Sequence, residues 1–344
     1  MGARASVSDV SIILWTSVLV VACSTGRPIE ETSSAFERRI ALEDRVVTSA
    51  NVSNPDANVD ELQHLVVRNR AGMQLIVDEQ NTQPTLRIVL PGHPTSDRTI
   101  EVLFPEHVTV RERGATDAHQ LYMFRPGQSG ERPQWRRSER SLEYARDLPG
   151  GVHMLARATL DEDGVRFHFR MRNQSDQTYD LIWAPIDPRL TSEFHDVRLE
   201  RTYVHHADGF DLLASETPGR VTMPLDRWLP ARYLASFTWP VPAQRVEDRD
   251  GIAYYNKSRA VDAPFIATLS RDRRWVVASF TRTTGNVWSN PELTCQHVDP
   301  PAMVSPGGEA TVNTKILVVR GSLDDVFATA MRQRDSLEQV AVEK

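Results

Sequence analysis

One stretch of the chain constrains its fold more than any other. Residues 152–173 read VHMLARATLDEDGVRFHFRMRN, two β-rich runs joined by the turn residues DEDG. The second run alternates strictly between apolar and polar side chains, in the order Val165, Arg166, Phe167, His168, Phe169, Arg170, Met171 and Arg172. Because successive side chains of a strand point to opposite faces, this pattern predicts a hairpin with one apolar and one cationic face. We expect Gly164 to supply a positive φ in the turn.

Further short runs of the same kind predict strands along most of the chain. They are separated by turn-rich segments and comprise 85–90, 99–104, 108–113, 119–124, 179–186, 197–206, 264–281 (two runs flanking RDR) and 310–319. Near the end, Ser322 and Asp325 have the spacing of a helix N-cap pair, and apolar residues then recur on one helical stripe. Many strands and one clear helix predict an all-β fold, a large antiparallel sandwich or barrel with one short C-terminal helix.

The N-terminus has the pattern of an export signal. The apolar run 12–21 (IILWTSVLVV) has signal-peptide length and ends in VVAC, which resembles the lipobox of bacterial lipoproteins. We therefore expect cleavage before Cys23, lipidation of Cys23, and an outer-membrane location facing the periplasm or the surface, because Ser24 follows the cysteine. The alternative is an ordinary secretory signal. Residues 24–60 are polar and predict a tether to one domain at 61–338.

Charge and cysteine content limit the partners. The net charge of -6 argues against a nucleic-acid partner, and no later stretch is apolar enough for a membrane span. With Cys23 lipidated, Cys295 is the one internal cysteine, so an intrachain disulfide is excluded. The sequence has no P-loop and no GxGxxG motif at a helix start, and we predict no cofactor.

The segment NPELTCQHVDPP, at 290–301, places Cys295, His297 and Asp299 at alternate positions, so that one strand face would carry all three. Thiolate, imidazole and carboxylate all bind zinc, but metal sites usually need three or four ligands and two prolines end the strand. We therefore predict no metal here. Instead we expect a strand end that becomes the rim of a cleft, with Cys295 packed and His297 available to a ligand as a proton-transfer residue.

Two strands offer polar groups for binding or catalysis. The cationic face that includes His168 and Arg170 could bind a uronate or a sulfated sugar through arginine forks, or it could be a solvated outer face. In ERTYVHHADGFD, at 200–211, alternation places Tyr203 and His205 on one face and His206 on the other. The pair of Tyr203 and His205 could abstract a proton from a sugar carbon, or it could be a polar strand end before a turn.

Tryptophans near predicted loops suggest a saccharide cleft, because indoles stack on the C–H faces of sugars. Trp135 and Trp288 have the most loop-like surroundings, and Arg136 and Asn290 beside them add polar contacts. We expect these four residues, with His168 and Arg170, to contact substrate. The catalytic candidates are His205, Tyr203 and His297.

Two longer segments resemble the galactose-mutarotase-like supersandwich superfamily of bacterial exported proteins. They are residues 285–326, with the Cys295-x-His297-x-Asp299-Pro300 run, a Pro-Gly turn, a long strand and a closing helix, and residues 173–190. The resemblance implies a two-layer antiparallel β-sandwich with a saccharide cleft on its concave sheet. It also implies a histidine acid and a glutamate base. His205 or His206 are candidates for the acid, but no glutamate in the sequence matches the base.

Three hypotheses for the function remain open. The first is a lipid-anchored protein that binds, and in a mutarotase-like or lyase-like cleft also processes, a neutral or anionic saccharide. The second is a non-catalytic surface lipoprotein that binds a glycan or a protein partner. The third is a metal-dependent hydrolase around His297 and Asp299. A cleft that gathers His205, His297 and arginines would favour the saccharide-processing hypothesis. If these residues are scattered over solvated faces, the non-catalytic binding protein is favoured. Three convergent metal ligands would favour the hydrolase.

Overall fold

The computed structural model describes residues 65–78, 83–91, 99–123, 132–246, 251–337 and 341–342. The predicted signal peptide (1–23), the lipidation site Cys23 and the tether (24–60) lie outside these residues. Strands are the main secondary structure, with 48% of the described residues against 9% in helices, and the all-β prediction with a C-terminal helix is confirmed. No helix among the described residues is both long and apolar enough to cross a membrane.

The strands are numbered in chain order, and two helices are counted with them. The strands are β1 (Val66–Arg68), β2 (Gln74–Val77), β3 (Thr85–Val89), β4 (Thr99–Leu103), β5 (His107–Glu112), β6 (His119–Met123), β7 (Arg136–Arg137), β8 (Ser141–Leu148), β9 (Val152–Leu160), β10 (Gly164–Asn173), β11 (Tyr179–Trp183), β12 (Asp187–Leu190), β13 (Thr202–His206), β14 (Gly209–Leu212), β15 (Arg232–Ser236), β16 (Gln244–Val246), β17 (Ala253–Asn256), β18 (Phe265–Leu269), β19 (Trp275–Thr281), β20 (Asn286–Ser289), β21 (Ala302–Val304), β22 (Glu309–Arg320) and β23 (Ala341–Val342). The helices are α1 (Leu225–Trp228) and α2 (Leu323–Arg334).

Four sheets form from these strands. The large sheet has the order β14-β13-β18-β19-β22-β10-β9-β8-β7, with β23 paired to β22. The other three are a five-stranded sheet (β1-β2-β3-β4-β12), the β5 sheet (β21-β11-β5-β6) and the β15 sheet (β16-β17-β15-β20). Among the described pairs only β15 and β17 run parallel, so the antiparallel prediction holds for the rest.

The hairpin predicted at 152–173 forms the middle of the large sheet as β9 and β10. Its register pairs Phe167 with Ala158 across the hairpin and with Thr314 on β22. Gly164 does not have the positive φ that the sequence led us to expect. Glycine is required here because the backbones of β10 and β22 approach closely, and a Cβ at this position would lie 2.0 Å from the carbonyl oxygen of Ile316.

The apolar face of the hairpin builds the main core. Val165, Phe167, Phe169 and Met171 pack with apolar residues of the five-stranded sheet and the β5 sheet, which together form the facing layer. A second core lies between β13 and β18 of the large sheet and the β15 sheet, with Trp228 at its centre. The inner face of the large sheet is therefore covered by three smaller sheets side by side.

Helix α2 lies on the outer face of the large sheet. Its start is the predicted N-cap, in which the Ser322 hydroxyl accepts from the Asp325 N–H at 3.2 Å and the Asp325 carboxylate accepts from the Ser322 N–H at 3.1 Å. Val326 and Ala330 are buried against β18, β19 and β22. The helix therefore covers only the β18 side of this face.

The cationic face of β10 lies on the same outer side and is paired with acids. Arg166 donates to Asp161 at 2.9 Å and Arg170 lies 3.7 Å from Glu309. His168 is half-buried and its Nδ1 lies 2.9 Å from the side-chain oxygen of Asn313. This surface has the form of a solvated, charge-paired sheet face, the second of the two alternatives.

Candidate functional site

The segment 294–299 joins two of the smaller sheets. The backbone of His297 exchanges two hydrogen bonds with Trp288 on β20, of 2.9 and 3.1 Å. On its other side, Gln296 N–H donates to Pro188 C=O at 3.2 Å and Leu190 N–H donates to Thr294 C=O at 3.4 Å. The segment is thus a bridging strand between β12 and β20, which places Cys295 and His297 inside the molecule rather than at its rim.

His297 is the most enclosed of the predicted catalytic residues. Its side chain is 1% exposed, so the expectation that it lies open to a ligand is wrong. The imidazole lies flat on the indole of Trp288, with ring centres 3.8 Å apart and planes within 5°. Its Nδ1 lies 3.4 Å from the Asp299 carboxylate, which also accepts from the Trp288 indole N–H at 3.3 Å. These contacts fix the ring in one orientation.

Asp187, at the start of β12, faces the other nitrogen of this ring. One carboxylate oxygen, Oδ2, accepts from Arg189 Nε at 2.7 Å, and Arg189 also lies 3.6 Å from Glu101 on β4. The other oxygen, Oδ1, lies 3.3 Å from His297 Nε2. Glu106 comes beside this group because its N–H donates to Pro185 C=O at 2.9 Å. We call Glu106, Asp187, Arg189, His297 and Asp299 the Asp187 centre.

Two carboxyl groups of this centre, those of Glu106 and Asp187, differ in protonation. Burial, together with the charge of Asp187, raises the pKa of Glu106 to about 7. Burial also acts to raise the pKa of Asp187, but the interaction with His297 and the charge of Arg189 outweigh it, and the pKa falls to about 2. One carboxyl group is therefore ionised at neutral pH while its neighbour titrates there.

The two histidines near the centre shift in opposite directions. Burial opposes the charged form of His297, yet its interactions with Cys295, Asp299 and Asp187 hold its pKa well above the usual value. Burial lowers the pKa of His107 to about 4, and its Nδ1 lies 2.8 Å from the Thr109 hydroxyl. His107 is thus neutral and His297 is the group that carries positive charge.

Cys295 approaches the same place from the bridging segment. It is buried and unpaired with any other cysteine, and its thiol donates to the Asn290 side-chain oxygen at 3.6 Å. One ligand atom each from Asp187, Cys295 and His297 all lie within 4.8 Å of one another. The third hypothesis placed a metal ion at His297 and Asp299. In the structure the group with metal-site spacing contains Asp187 instead of Asp299, because Asp299 contacts Nδ1 of His297 and Asp187 faces Nε2.

Two further tryptophans lie close to the Asp187 centre. Trp239 is partly buried, keeps some of its ring exposed, and packs against the cluster that contains Trp288 and Cys295. Its ring centre lies 5.8 Å from that of Trp183, a buried residue whose indole N–H has no hydrogen-bond partner among the described residues. We call Trp183 and Trp239 the indole pair.

Gly285 holds Trp239 in place. Its carbonyl accepts from the N–H groups of residues 237, 238 and 239 at 2.9 to 3.1 Å. A Cβ at Gly285 would lie 2.0 Å from the Trp239 ring, so the indole rests directly on the glycine backbone. The partly exposed ring of the indole pair is therefore rigidly positioned.

The other predicted catalytic residues lie elsewhere. His205 and Tyr203 lie on the outer side of β13, beside helix α2. The His205 ring stacks on Phe327 at 3.8 Å and its Nδ1 lies 2.8 Å from Asp262. His206 faces the opposite side, as alternation predicts, and contacts the carbonyl of Ala260. The structure does not bring these residues to His297.

The predicted substrate-binding residues are also dispersed. Trp135 packs on Tyr144 with ring centres 4.8 Å apart, and Arg136 is exposed on the edge strand β7. Trp288 and Asn290 lie in the interior beside His297 and Cys295, where Trp288 supports the ring rather than facing solvent. His168 and Arg170 belong to the outer face described above. These six residues do not form one cleft.

Sequence reasoning missed Asp187 and Glu106, and it counted Trp239 among the tryptophans near loops without selecting it for the saccharide cleft. Asp187 stands in the quoted segment 173–190, and Glu106 follows a predicted strand, but neither has a local pattern that marks it. Trp239 lies in a proline-rich stretch where a tryptophan had no predicted neighbour. The signal that unites them is contact between distant segments, which a single sequence does not contain.

Comparisons with known proteins found structural likeness but no relative in sequence. No protein-family model matches the chain, and no curated protein matches it. A galactose mutarotase-like protein from Lactobacillus casei matches with 9% identity and a TM-score of 0.41, over 74% of this chain and 99% of that chain. The Slr1438 protein from Synechocystis matches with 11% identity and a TM-score of 0.36, over 79% of this chain and 100% of that chain. The α-N-acetylgalactosaminidase NagBb from Bifidobacterium bifidum, in complex with GalNAc, matches with 10% identity and a TM-score of 0.40, over 77% of this chain and 38% of that chain.

The first of these structures carries the name of the superfamily that the sequence resembles. The low identities and TM-scores limit each likeness to a general arrangement of β-sheets. This chain spans 38% of the Bifidobacterium enzyme. No ligand, residue role or activity is carried from these proteins to this chain.

Proposed function

We propose that the protein binds a saccharide beside the Asp187 centre, with the sugar ring on the partly exposed indole of Trp239. The observation that carries this proposal is the position of the indole pair next to a cluster of ionisable groups. Sugars present flat C–H faces that pack on indoles and hydroxyl groups that bond to carboxylates and guanidinium groups. A few convergent polar groups beside aromatic walls are the usual composition of a small-molecule site.

The charges favour an uncharged sugar as the ligand. Among the described residues, four carboxyl groups, Glu101, Glu106, Asp187 and Asp299, surround Arg189 and His297, and the third cation nearby, Arg232, lies 5.9 Å from the Trp288 ring. A uronate or a sulfate would bring a further negative charge to this group, which like-charge repulsion opposes. The arginines that could have bound an anionic sugar lie on the outer face of the large sheet and are paired with acids.

Replacing Trp239 by alanine tests the proposal. A glycan array with the full chain first identifies the saccharide, and calorimetry then measures its Kd. We expect Trp239→Ala to raise that Kd about tenfold, because an aromatic contact is worth roughly 0.5–1.5 kcal/mol beyond buried area.

Two matched variants serve as controls. Arg136→Ala removes an exposed residue that the sequence placed in the saccharide site, and His205→Ala removes a predicted catalytic residue that stacks on Phe327 of helix α2. We expect the Kd of both variants to stay within roughly twofold of the Kd of the parent protein, because substitutions at separate sites act independently. If Trp239→Ala binds as the parent does while Arg136→Ala or His205→Ala binds weakly, the site lies where the sequence predicted it.

We also propose that the protein is exported and anchored by a lipid on Cys23. The VVAC sequence after an apolar run supports this, by its resemblance to a lipobox. Expression of the full chain in a bacterium, followed by intact-mass analysis, should show loss of residues 1–22 and the added mass of acyl groups. Cys23→Ser should abolish both changes. A mature protein of the same mass with and without Cys23→Ser would contradict lipid anchoring.

A further inference from the structure

We infer that Asp187, Cys295 and His297 form a binding site for a divalent transition-metal ion, most suitably Zn²⁺. The three ligand atoms come from two segments that the fold brings together, β12 and the bridging segment 294–299. They lie within 4.8 Å of one another. This inference does not depend on saccharide binding.

The distances are close to those of a metal site. Zinc bonds of about 2.0–2.3 Å in tetrahedral geometry place ligand atoms roughly 3.3–3.8 Å apart. The Asp187 and His297 atoms are already 3.3 Å apart. Cys295 needs a small inward movement, and a change in its side-chain rotamer would free its thiol from Asn290.

Two buried atoms have no hydrogen bond where the ion would lie. His297 Nε2 and Asp187 Oδ1 face each other at 3.3 Å, yet neither makes a hydrogen bond of normal geometry with any described residue. Both side chains are 1% exposed. The two side chains attract each other as opposite charges but do not have hydrogen-bond geometry, and an ion coordinated by both atoms would give each of them a direct bond.

The surroundings orient these atoms as they do in known metal sites. A ligating histidine normally donates its second ring N–H to a carboxylate, and His297 Nδ1 faces Asp299 at 3.4 Å. A ligating carboxylate is normally held by another hydrogen bond, and Asp187 Oδ2 accepts from Arg189 at 2.7 Å. In each case the outer contact uses one atom and leaves the other for the ion.

The donor set selects among metal ions. A thiolate, an imidazole and a carboxylate suit zinc and related ions, whereas Ca²⁺ and Mg²⁺ prefer oxygen ligands. When the ion binds, the Cys295 thiol and Nε2 of the His297 imidazolium each lose a proton to solvent, so that a thiolate, a carboxylate and a neutral imidazole coordinate the divalent cation. Three protein ligands leave a fourth position for water or for a ligand atom.

Cobalt titration of the full chain, after chelation and dialysis, tests the site. Co²⁺ substitutes for zinc and gives a thiolate charge-transfer absorption when a cysteine is a ligand. We expect one equivalent of Co²⁺ to produce this band and one equivalent of Zn²⁺ to abolish it. A folded parent protein that shows no thiolate band at saturating Co²⁺ overturns the inference without the need for any variant.

Variants locate the ion. Cys295→Ser should remove the band, and His297→Gln should weaken Co²⁺ binding by more than about 100-fold, a larger loss than for an outer contact. Asp299→Asn should weaken it about tenfold. Cys23→Ser and His153→Gln, which change the other cysteine of the sequence and an imidazole on β9 that is paired with Asp147, should bind as the parent does. A band that survives Cys295→Ser but disappears in Cys23→Ser would place the ion elsewhere and refute the site.

Discussion

Gly164→Ala should destabilise the protein by about 3 kcal/mol, at the upper end of the cost of overpacking. The added Cβ would lie 2.0 Å from the oxygen and 2.9 Å from the carbonyl carbon of Ile316, atoms of the backbone that cannot rotate away. Gly164 pairs directly with Leu317, so relief of this clash requires β10 and β22 to separate in the middle of the large sheet. Urea unfolding followed by tryptophan fluorescence measures the effect.

Gly114→Ala is the matched control for this prediction. Gly114 has φ of 86° and nothing within 4 Å of an added Cβ, so its substitution adds conformational strain without a clash. That strain costs roughly 1–2 kcal/mol. If the free energy of unfolding falls no further in Gly164→Ala than in Gly114→Ala, close backbone approach is not what requires glycine at the start of β10.

In the presence of a metal chelator, Asp187→Asn should lower the free energy of unfolding by about 3 kcal/mol. This is the lower end of the range for breaking a buried ion pair. The substitution keeps the size of the side chain but removes the charge that faces both Arg189 and His297. Arg189 keeps its contact of 3.6 Å with Glu101, and its side chain is 28% exposed, which limits the loss. Urea unfolding at neutral pH in the presence of a chelator measures it.

Asp180→Asn provides the comparison. Asp180 accepts from Arg111 at 2.8 Å, a distance similar to that between Asp187 and Arg189, but both partners are about a quarter exposed. Pairs that water reaches are worth roughly 0–1 kcal/mol. An equal loss of stability in the two variants would show that burial does not strengthen the interactions of Asp187, and the Asp187 centre would lose its energetic basis.

The sequence predicts this fold well where local pattern decides structure. The alternation of Val165 to Arg172 and the Ser322–Asp325 cap reappear as β10 and helix α2, because each depends on residues close in the chain. Gly164 shows the limit of that reasoning. Its position in a turn suggested a positive φ. The reason for glycine is instead the close approach of the backbone of Ile316, which lies 152 residues later in the chain.

The candidate site is less predictable for the same physical reason. Cys295 and His297 were found because they alternate in one segment, but their partner Asp187 lies more than a hundred residues earlier. Local sequence also does not determine burial. His297 looked available to a ligand beside prolines and a turn, yet its strand lies between two sheets that the sequence could not place.

A crystal structure of the full chain with the saccharide that binds best on the array would show directly whether Trp239 carries the sugar. We expect density for a sugar ring stacked on Trp239, with its hydroxyl groups in hydrogen-bond contact with the Asp187 centre. Density on the outer face beside Arg166 and His168, or beside His205 and Tyr203, would contradict this expectation and return the function to the surfaces that the sequence first indicated.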